Sequence, residues 1–227
     1  MLGGAVVYRR TERAEAVRAA AQERILRAAG KLFMTKGYEA TTMQDIVGEA
    51  GTSIGNAYFY FKNKETLMHA LVESSFNTMF DAAEQRVRGV PAGPQRIGAL
   101  IAVNTTTFLT TRREMLRVLV ADPRGGIIQR IGDISVQRWI VILSSSFPQR
   151  PPDELPLIAA AIWGTNRSIV ERIARDVLIT DVKNAASFMV RWALGALDVP
   201  AAQIESISAS AWRLASRHAR EQEALAW

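Results

Sequence analysis

The fold of this chain is decided by the stretch "TTMQDIVGEAGTSIGNAYFYFKNKETL", residues 41–67. A short helix is predicted to begin after Thr42, with Asp45 three residues later as its capping partner, and to end at Gly51. A second short helix is predicted to begin at Ser53. Two short helices joined by a tight turn containing a glycine are the layout of a helix-turn-helix motif, which presents its second helix to the major groove of DNA.

The second helix has a composition that a core helix does not need. Gly55 costs about 1 kcal/mol relative to alanine inside a helix. Four aromatic residues in a row, 58–61, point in four directions because successive residues are rotated by about 100°. A helical wheel places Ala57 and Phe61 on the side that faces Ile46 and Val47 of the preceding short helix. The wheel places Gly55, Asn56, Phe59 and Tyr60 on the other side, with Ile54 and Tyr58 at the margin.

That other side has the chemistry of a DNA-binding surface. A glycine near a helix N-terminus lets another backbone approach closely, and the free N–H groups there suit a phosphate. Tyrosine hydroxyls can donate to phosphate oxygens, and Asn56 can pair with base edges, most readily with adenine. Ile54, where it faces outward, can read only thymine methyl groups or DNA shape.

Nearly every other periodic stretch of the chain also predicts a helix. The first helix is expected to run from Thr11, as its N-cap, to Lys36, with Gly37 as its C-terminal stop. The fourth is expected from Asn63 to about Val87. Further helices are expected at about 95–120, 127–146, 154–177, 181–198 and 201–224. The predicted fold class is therefore all-α, with a small N-terminal unit of three helices and a larger helical body.

Composition narrows the function without deciding it. The chain has 227 residues, a formal net charge of +6 and a pI near 10.0, which permit a polyanionic partner such as nucleic acid. Arg9, Arg10 and Arg13 form either a soluble tail or an arm that reaches an adjacent minor groove. The absence of cysteine excludes disulfides and thiolate metal sites and fits a reducing cytoplasm. No apolar run approaches the length of a membrane-spanning helix.

A longer stretch, "ILRAAGKLFMTKGYEATTMQDIVGEAGTSIGNAYFYFKNKETL", residues 25–67, closely resembles the DNA-binding domain of the tetracycline-repressor (TetR) family. The positions that carry the resemblance are Ala28, Ala29, Leu32, Phe33, Lys36, Gly37, Tyr38, Thr41, Thr42, Asp45, Ile46, Ala50, Gly51, Ser53, Gly55, Tyr58, Phe61, Lys64 and Leu67. The resemblance implies a homodimeric, ligand-responsive transcriptional repressor that binds palindromic double-stranded operator DNA.

The resemblance also implies which residues touch DNA. Phosphate contacts are implied for Thr42, Ser53, Tyr58, Phe59, Tyr60 and Lys64, and base contacts for Ile54, Gly55 and Asn56. The chain departs from the common family pattern at three positions. Ile54 stands where a basic or polar residue is frequent, Phe59 where a polar one is frequent, and Thr52 where valine is usual. The first two departures leave the operator sequence open.

The helical body is expected to hold a pocket for a small-molecule effector of unidentified structure. The polar sequence "TNR" (165–167) beside Trp163, on an otherwise apolar helix, has the character of a polar group that orients a ligand, although a solvated helix face explains it as well. The predicted lining residues are Phe108, Trp139, Trp163, Asn166 and Arg167.

Two apolar stripes, in residues 154–177 and 185–197, suit close helix packing. The resemblance implies a four-helix dimer interface there, and an internal core explains the same stripes equally well. A homodimer is expected because two recognition helices about one DNA turn apart are needed to read a palindrome. The predicted organisation is 1–16 as a basic arm or helix extension, 17–66 as the helix-turn-helix domain and 67–227 as the effector-binding and dimerisation domain.

Catalysis and metal binding find few candidate residues. His69 and His218 are the only histidines, and they lie far apart in sequence without a nearby acidic ligand pattern. No glycine-rich phosphate loop or nucleophile elbow is present. We therefore predict a cytoplasmic DNA-binding transcriptional regulator, a repressor released by a small-molecule effector, with no catalytic activity, cofactor, metal or membrane association. The alternative is a non-catalytic helical carrier of a hydrophobic small molecule.

Overall fold

The computed structural model describes the backbone of residues 3–111 and 126–225 and, within these ranges, the side chains of residues 15–110 and 126–217. All regular secondary structure in this part of the chain is α-helical, which confirms the predicted fold class. The helices are α1 (Gly3–Thr35), α2 (Met43–Ala50), α3 (Ile54–Tyr60), α4 (Lys64–Arg86), α5 (Pro94–Thr111), α6 (Gly126–Ser146), α7 (Glu154–Ala174), α8 (Val182–Ala196) and α9 (Ala201–Leu225).

The chain forms two compact units, Met1–Ser75 and Phe76–Trp227, and α4 contributes residues to both. In the N-terminal unit the core lies where α1, α2, α3 and the first turn of α4 meet. Each element supplies at least one fully buried apolar side chain to it: Ile25, Ala29, Ile46, Ala57 and Leu67. On α1 the buried face consists of Ile25, Ala28 and Ala29, with Leu32 and Phe33 packed against the same core.

Two predicted helix limits differ from the structure for identifiable reasons. The first helix begins at Gly3 and not at Thr11, because residues 5–29 contain no proline or glycine and threonine costs little inside a helix. The seventh ends at Ala174, short of residue 177, and Asp176 just beyond it has a left-handed φ of 56°. The predicted extension of the fifth helix to residue 120 lies outside the described residues beyond Thr111.

The C-terminal unit is built around α5, which contacts α6, α7, α8 and α9. Residues 97–106 of α5 are all buried, so this helix forms the centre of the body. Its approach to α8 and α9 depends on Gly98. A Cβ atom there would lie 2.8 Å from Cγ2 of Ile207 and 3.3 Å from Cγ1 of Val190. Only a residue without a side chain permits this spacing.

Among the described residues, the helices fall short of the combined length and apolarity that crossing a bilayer requires.

Candidate nucleic-acid interface

The N-terminus of α2 is fixed by a capping box, as the sequence predicts. The backbone N–H of Asp45 donates to Oγ1 of Thr42 at 3.1 Å, and the backbone N–H of Thr42 donates to Oδ2 of Asp45 at 2.8 Å. Lys36 Nζ reaches the same carboxylate at 2.8 Å. Its hydrogen bond, followed by those from Thr42, holds the pKa of Asp45 well below its usual range. The carboxylate therefore stays charged and keeps the α1–α2 loop in place.

The turn between α2 and α3 requires a glycine. Gly51 has a left-handed φ of 60°, and its N–H donates to the carbonyl of Gly48 at 3.3 Å. The N–H of Thr52 closes the turn on the carbonyl of Val47 at 3.1 Å. Ser53 then caps α3 by accepting a hydrogen bond from the N–H of Asn56 at 3.2 Å. The direction in which α3 leaves the turn is thus set by the backbone.

The outward side of α3 is apolar and exposed. Tyr58 and Phe59 have 50% and 71% of their surface accessible, and Ile54 is also exposed. Gly55 lies between them on the same side, and a Cβ atom added there would meet nothing within 4 Å among the described residues. Its φ is not in the left-handed region, so neither packing nor backbone conformation requires a glycine. We call Ile54, Gly55, Tyr58 and Phe59 the α3 surface.

The inward side of α3 contains one residue that the helical wheel misplaced. Ala57 and Phe61 are buried with Ile46 and Val47, as predicted. Tyr60 was expected to face outward, but it is half-buried and packs against the same cluster. Three residues along an α-helix turn the chain by about 300°, which returns Tyr60 to within about 60° of Ala57. Its phosphate contact stays a prediction and would involve the hydroxyl alone.

Asn56, the predicted reader of base edges, is half-buried and held by the preceding turn. Its Nδ2 donates to Oγ1 of Thr52 at 2.8 Å. Thr52 is one of the departures from the family pattern, and the usual valine could not accept this hydrogen bond. The amide of Asn56 retains one further N–H and its carbonyl oxygen, so a base contact from this position stays a prediction with a pre-oriented side chain.

The ammonium group of Lys64 is hydrogen-bonded within the protein in this structure. Its Nζ donates to the backbone carbonyls of Tyr38 at 2.8 Å, Thr41 at 3.0 Å and Glu39 at 3.3 Å. It also lies 4.4 Å from the centroid of the Tyr38 ring. Burial, with Glu65 and Glu39 nearby, raises the pKa of the Tyr38 hydroxyl. An ammonium group has three hydrogens, so the predicted phosphate contact of Lys64 would compete with these bonds.

Lys62 is a candidate that the sequence interpretation missed. It is exposed, follows the C-cap of α3 at Phe61, and makes no hydrogen bond or ion pair with any residue that the structure describes. The signal is present in "FKNK" (61–64), where Asn63 caps α4 by accepting from the N–H of Thr66 at 2.8 Å. This cap places Lys64 inside the first turn of α4 and leaves Lys62 outside it.

The C-terminal unit contains a cavity that is partly open to solvent. All five residues predicted to line an effector pocket contribute to its walls: Phe108, Trp139, Trp163, Asn166 and Arg167. The interpretation from sequence missed two aromatic residues of α4, Phe76 and Phe80, and one polar residue of α5, Asn104. A period of 3.6 could have indicated the two phenylalanines, which are four residues apart. Binding of an effector in the cavity stays a prediction.

Within the described side chains, no three or more of the His, Asp and Glu groups lie close enough to share a metal ion. His69 is half-buried in α4. The side chain of His218 lies outside the described residues, as do those of Arg9, Arg10 and Arg13. The backbone of residues 3–16 belongs to α1.

Comparison with known proteins places the N-terminal unit in a family. Residues 25–71 match the model of the family described as "Bacterial regulatory proteins, tetR family". The uncharacterized HTH-type transcriptional regulator YvdT of Bacillus subtilis (strain 168) is 36% identical over 120 residues, which are 53% of this chain and 58% of YvdT. The curated relatives that the chain matches are covered over 18% to 58% of their own length.

Solved structures share the fold at low sequence identity. Thermus thermophilus FadR, a TetR family transcriptional repressor in complex with lauroyl-CoA, superposes with a TM-score of 0.60 at 18% identity, covering 76% of this chain and 93% of FadR. SmeT, the repressor of the Stenotrophomonas maltophilia multidrug efflux pump SmeDEF, gives a TM-score of 0.56 at 19% identity, covering 77% and 89% of the two chains. At such identities the likeness shows the fold alone.

Proposed function

We propose that this chain, which belongs to the TetR family of bacterial regulatory proteins through its N-terminal unit, is a homodimeric transcriptional repressor. It acts in the cytoplasm on a palindromic operator and leaves it when a small-molecule effector binds. It has no catalytic role. The observation that carries the proposal is the α3 surface, which exposes two aromatic rings beside a glycine that the protein itself does not require.

The DNA contacts follow from the position of each side chain. Gly55 allows a phosphate or sugar of the groove wall to approach α3, where a side chain would hold it away. The Tyr58 hydroxyl donates to phosphate, the exposed Phe59 ring packs on sugar, and Asn56 reads a base edge with Ile54 against a thymine methyl. Thr42 and Ser53, whose hydroxyls are used as caps, offer the N–H groups of the helix starts.

The dimer is supported by an exposed apolar stripe on α7. Leu157 has 72% of its surface accessible, Ala161 and Gly164 are exposed on the same face, and Phe188 of the adjoining α8 is exposed as well. The other predicted stripe, in residues 185–197, is mostly part of the core. Its residues Ala185, Met189 and Leu197 are buried in the body. Small residues next to large exposed ones allow a second copy of α7 to pack closely.

Release from DNA requires that the effector bind better to a form with low operator affinity. The cavity of the C-terminal unit is the proposed effector site, since it is concave and mostly apolar and has a few polar side chains in its wall. We propose that α4 transmits the change, because it contains residues of both units.

The test is selection of bound sequences from a random duplex pool, followed by fluorescence anisotropy on the enriched sequence over a series of salt concentrations. Enrichment of a palindrome bound by two chains is the expected result. The carrier alternative predicts a different outcome: no enriched sequence, and only weak binding that falls steeply with salt. That outcome would overturn the proposed repressor function and leave the cavity as the functional part of the chain.

A further inference from the structure

We propose that the effector is a neutral, planar ring compound with a carboxamide or lactam group, and that this group pairs with Asn104. The inference rests on the proposed function in taking the cavity of the C-terminal unit as the effector site. It goes further in assigning the chemical class of the ligand and the residue that selects it.

In the cavity wall, Asn104 is a buried polar residue whose side chain is unpaired among the described residues. It has 4% of its surface accessible, it lines the cavity, and neither its Nδ2 nor its Oδ1 has a hydrogen-bond partner among the described residues. Asn166, the other amide of the wall, donates to Oγ1 of Thr105 at 3.2 Å. Buried amides are normally paired, because an unpaired buried donor or acceptor is unfavourable. Both amide atoms are closed to solvent in this structure, so a ligand meets them once the side chain turns towards the cavity, and a ligand that supplies both partners then removes this penalty.

The hydrogen-bonding pattern of Asn104 defines the group that fits it. A primary amide presents one acceptor and one donor side by side. A ligand carboxamide or lactam presents the complementary donor and acceptor at the same spacing, as the adenine edge does to asparagine in DNA recognition. Two parallel hydrogen bonds then form, and a ligand with only a donor or only an acceptor leaves one atom of Asn104 unpaired.

The remaining wall favours a planar ring. Phe76 and Trp163 meet edge to face with 6.1 Å between ring centroids, and Phe80 and Trp139 do so at 5.9 Å. A Cβ atom on Gly132 would lie 2.7 Å from Nε1 of Trp163, so this glycine makes room for the indole against α6. Ring pairs fixed in this way give a rigid apolar enclosure that an aromatic ligand extends.

Charge in the wall is internally balanced. Of the described lining residues only Arg167 and Glu171 are charged, and they lie 3.7 Å apart. Glu171 is also paired with Arg175 at 3.0 Å. An anionic or cationic ligand buried here would have to displace one of these pairs, since a buried charge requires a partner. A neutral ligand requires no such exchange.

The experiment is isothermal titration calorimetry of the full chain with bicyclic probes of similar size. Quinolin-2(1H)-one is the neutral lactam, its N-methyl derivative lacks the donor, naphthalene-2-carboxylate is the anion and N-methylquinolinium is the cation. We expect the lactam to bind more tightly than each of the others by about tenfold or more. Tighter binding of either charged probe, equal binding of the N-methyl derivative, or failure of all four to bind would overturn the inference.

Asn104→Leu tests the residue itself. It should weaken lactam binding by about tenfold or more and raise the melting temperature of the free protein, because it removes an unpaired buried amide. A residue with a purely structural role would not show these opposite changes. Ser146→Ala is the matched control, since the buried Ser146 hydroxyl has no partner among the described residues but does not line the cavity. It should leave lactam affinity unchanged.

Operator binding measured on the same preparations separates the two proposals. Lactam binding that depends on Asn104 but does not release DNA would support the ligand class and contradict effector release. Failure of the ligand-free wild-type chain to bind any operator, although it binds the lactam, would contradict the repressor function alone. Unchanged lactam affinity in a folded Asn104→Leu variant would contradict the role of Asn104, whatever happens to the operator.

Discussion

The two units treat aromatic and polar side chains in opposite ways. In the N-terminal unit Tyr58 and Phe59 are exposed, while Asn56 and Lys64 hydrogen-bond within the protein. In the C-terminal unit the rings enclose a cavity, and the amide of Asn104 in its wall has no hydrogen-bond partner among the described residues. The first arrangement is a rigid surface that needs no rearrangement to meet a partner. The second stores an unsatisfied interaction that a ligand can complete, which suits a site that must respond.

Unlike the cavity wall, α7 of the C-terminal unit exposes apolar side chains. Disrupting this exposed stripe should have the largest effect. Leu157→Glu would place two carboxylates in the proposed interface, because a twofold dimer repeats every change. We expect dimer affinity to fall on the order of 10³-fold, equivalent to about 4 kcal/mol, measured by sedimentation equilibrium. Val141→Glu, at an exposed apolar residue of α6, is the control. Equal weakening by both variants would contradict the assignment to α7.

A side chain on the α3 surface should separate DNA binding from stability. Gly55→Leu adds a group that meets nothing in the protein but blocks close approach of DNA, so operator affinity should fall by about 100-fold, or about 2.7 kcal/mol. The melting temperature should stay the same or rise, since leucine favours helix more than glycine does. The control is Gly89→Leu, at a glycine in the C-terminal unit that is equally open. If Gly55→Leu binds the operator normally, the α3 surface does not face DNA.

The two lysines beside α3 should show opposite defects. Lys64→Ala leaves three backbone carbonyls without their donor and should cost about 2 kcal/mol of stability, visible as faster hydrogen exchange of residues 37–42. Lys62→Ala should leave exchange unchanged, weaken binding to all operators alike and lower the slope of log affinity against log salt by about 1. If Lys64→Ala instead lowered operator affinity and the salt slope, and Lys62→Ala accelerated exchange, Lys64 would be the phosphate contact.

The smallest expected effect is a loss of stability of the N-terminal unit at low pH. The pKa of Asp45 is lower in the folded chain than in the unfolded one, so its bonds stabilise the fold above about pH 4 and are lost as pH falls towards the folded-state pKa. Hydrogen exchange of α2 should therefore accelerate, more than the intrinsic rate accounts for, as pH falls below about 4. Asp45→Asn should flatten this response, and an unchanged response in that variant would remove Asp45 as its source.

Much of the N-terminal unit could be predicted from sequence because its signals are local. The capping box at Thr42, the glycine turn at Gly51 and the pairing of Ala57 with Phe61 depend on residues at most a few positions apart. Tyr60 shows the limit of a qualitative helical wheel, which assigned it to the wrong side. Lys64 shows a second limit, since the carbonyls it binds lie 23 to 26 residues away and only the folded loop brings them there.

In the C-terminal unit the aromatic and polar residue types of α5, α6 and α7 identified candidate cavity residues. The sequence did not show that these residues line the same cavity. Asn104 was overlooked because "VNTTTF" (103–108) offers four polar side chains in a row, and nothing local distinguishes Asn104 and Thr106, which are left without a partner among the described residues, from the other two. The structure makes that distinction through packing: Thr105 receives the bond from Asn166 and Asn104 receives none from the described residues. Non-local pairing of this kind has no sequence signature.

Gly98 has a consequence for how such chains can diverge. Since a methyl group at this position would lie 2.8 Å from Ile207, an alanine here becomes tolerable only when the residue at position 207 becomes smaller. The two positions are 109 residues apart and belong to different helices, yet they should vary as a pair across related chains. A double-mutant cycle of Gly98→Ala with Ile207→Ala, which removes the clashing Cγ2, should therefore show a favourable coupling energy, of about 1 kcal/mol, that neither substitution reveals alone.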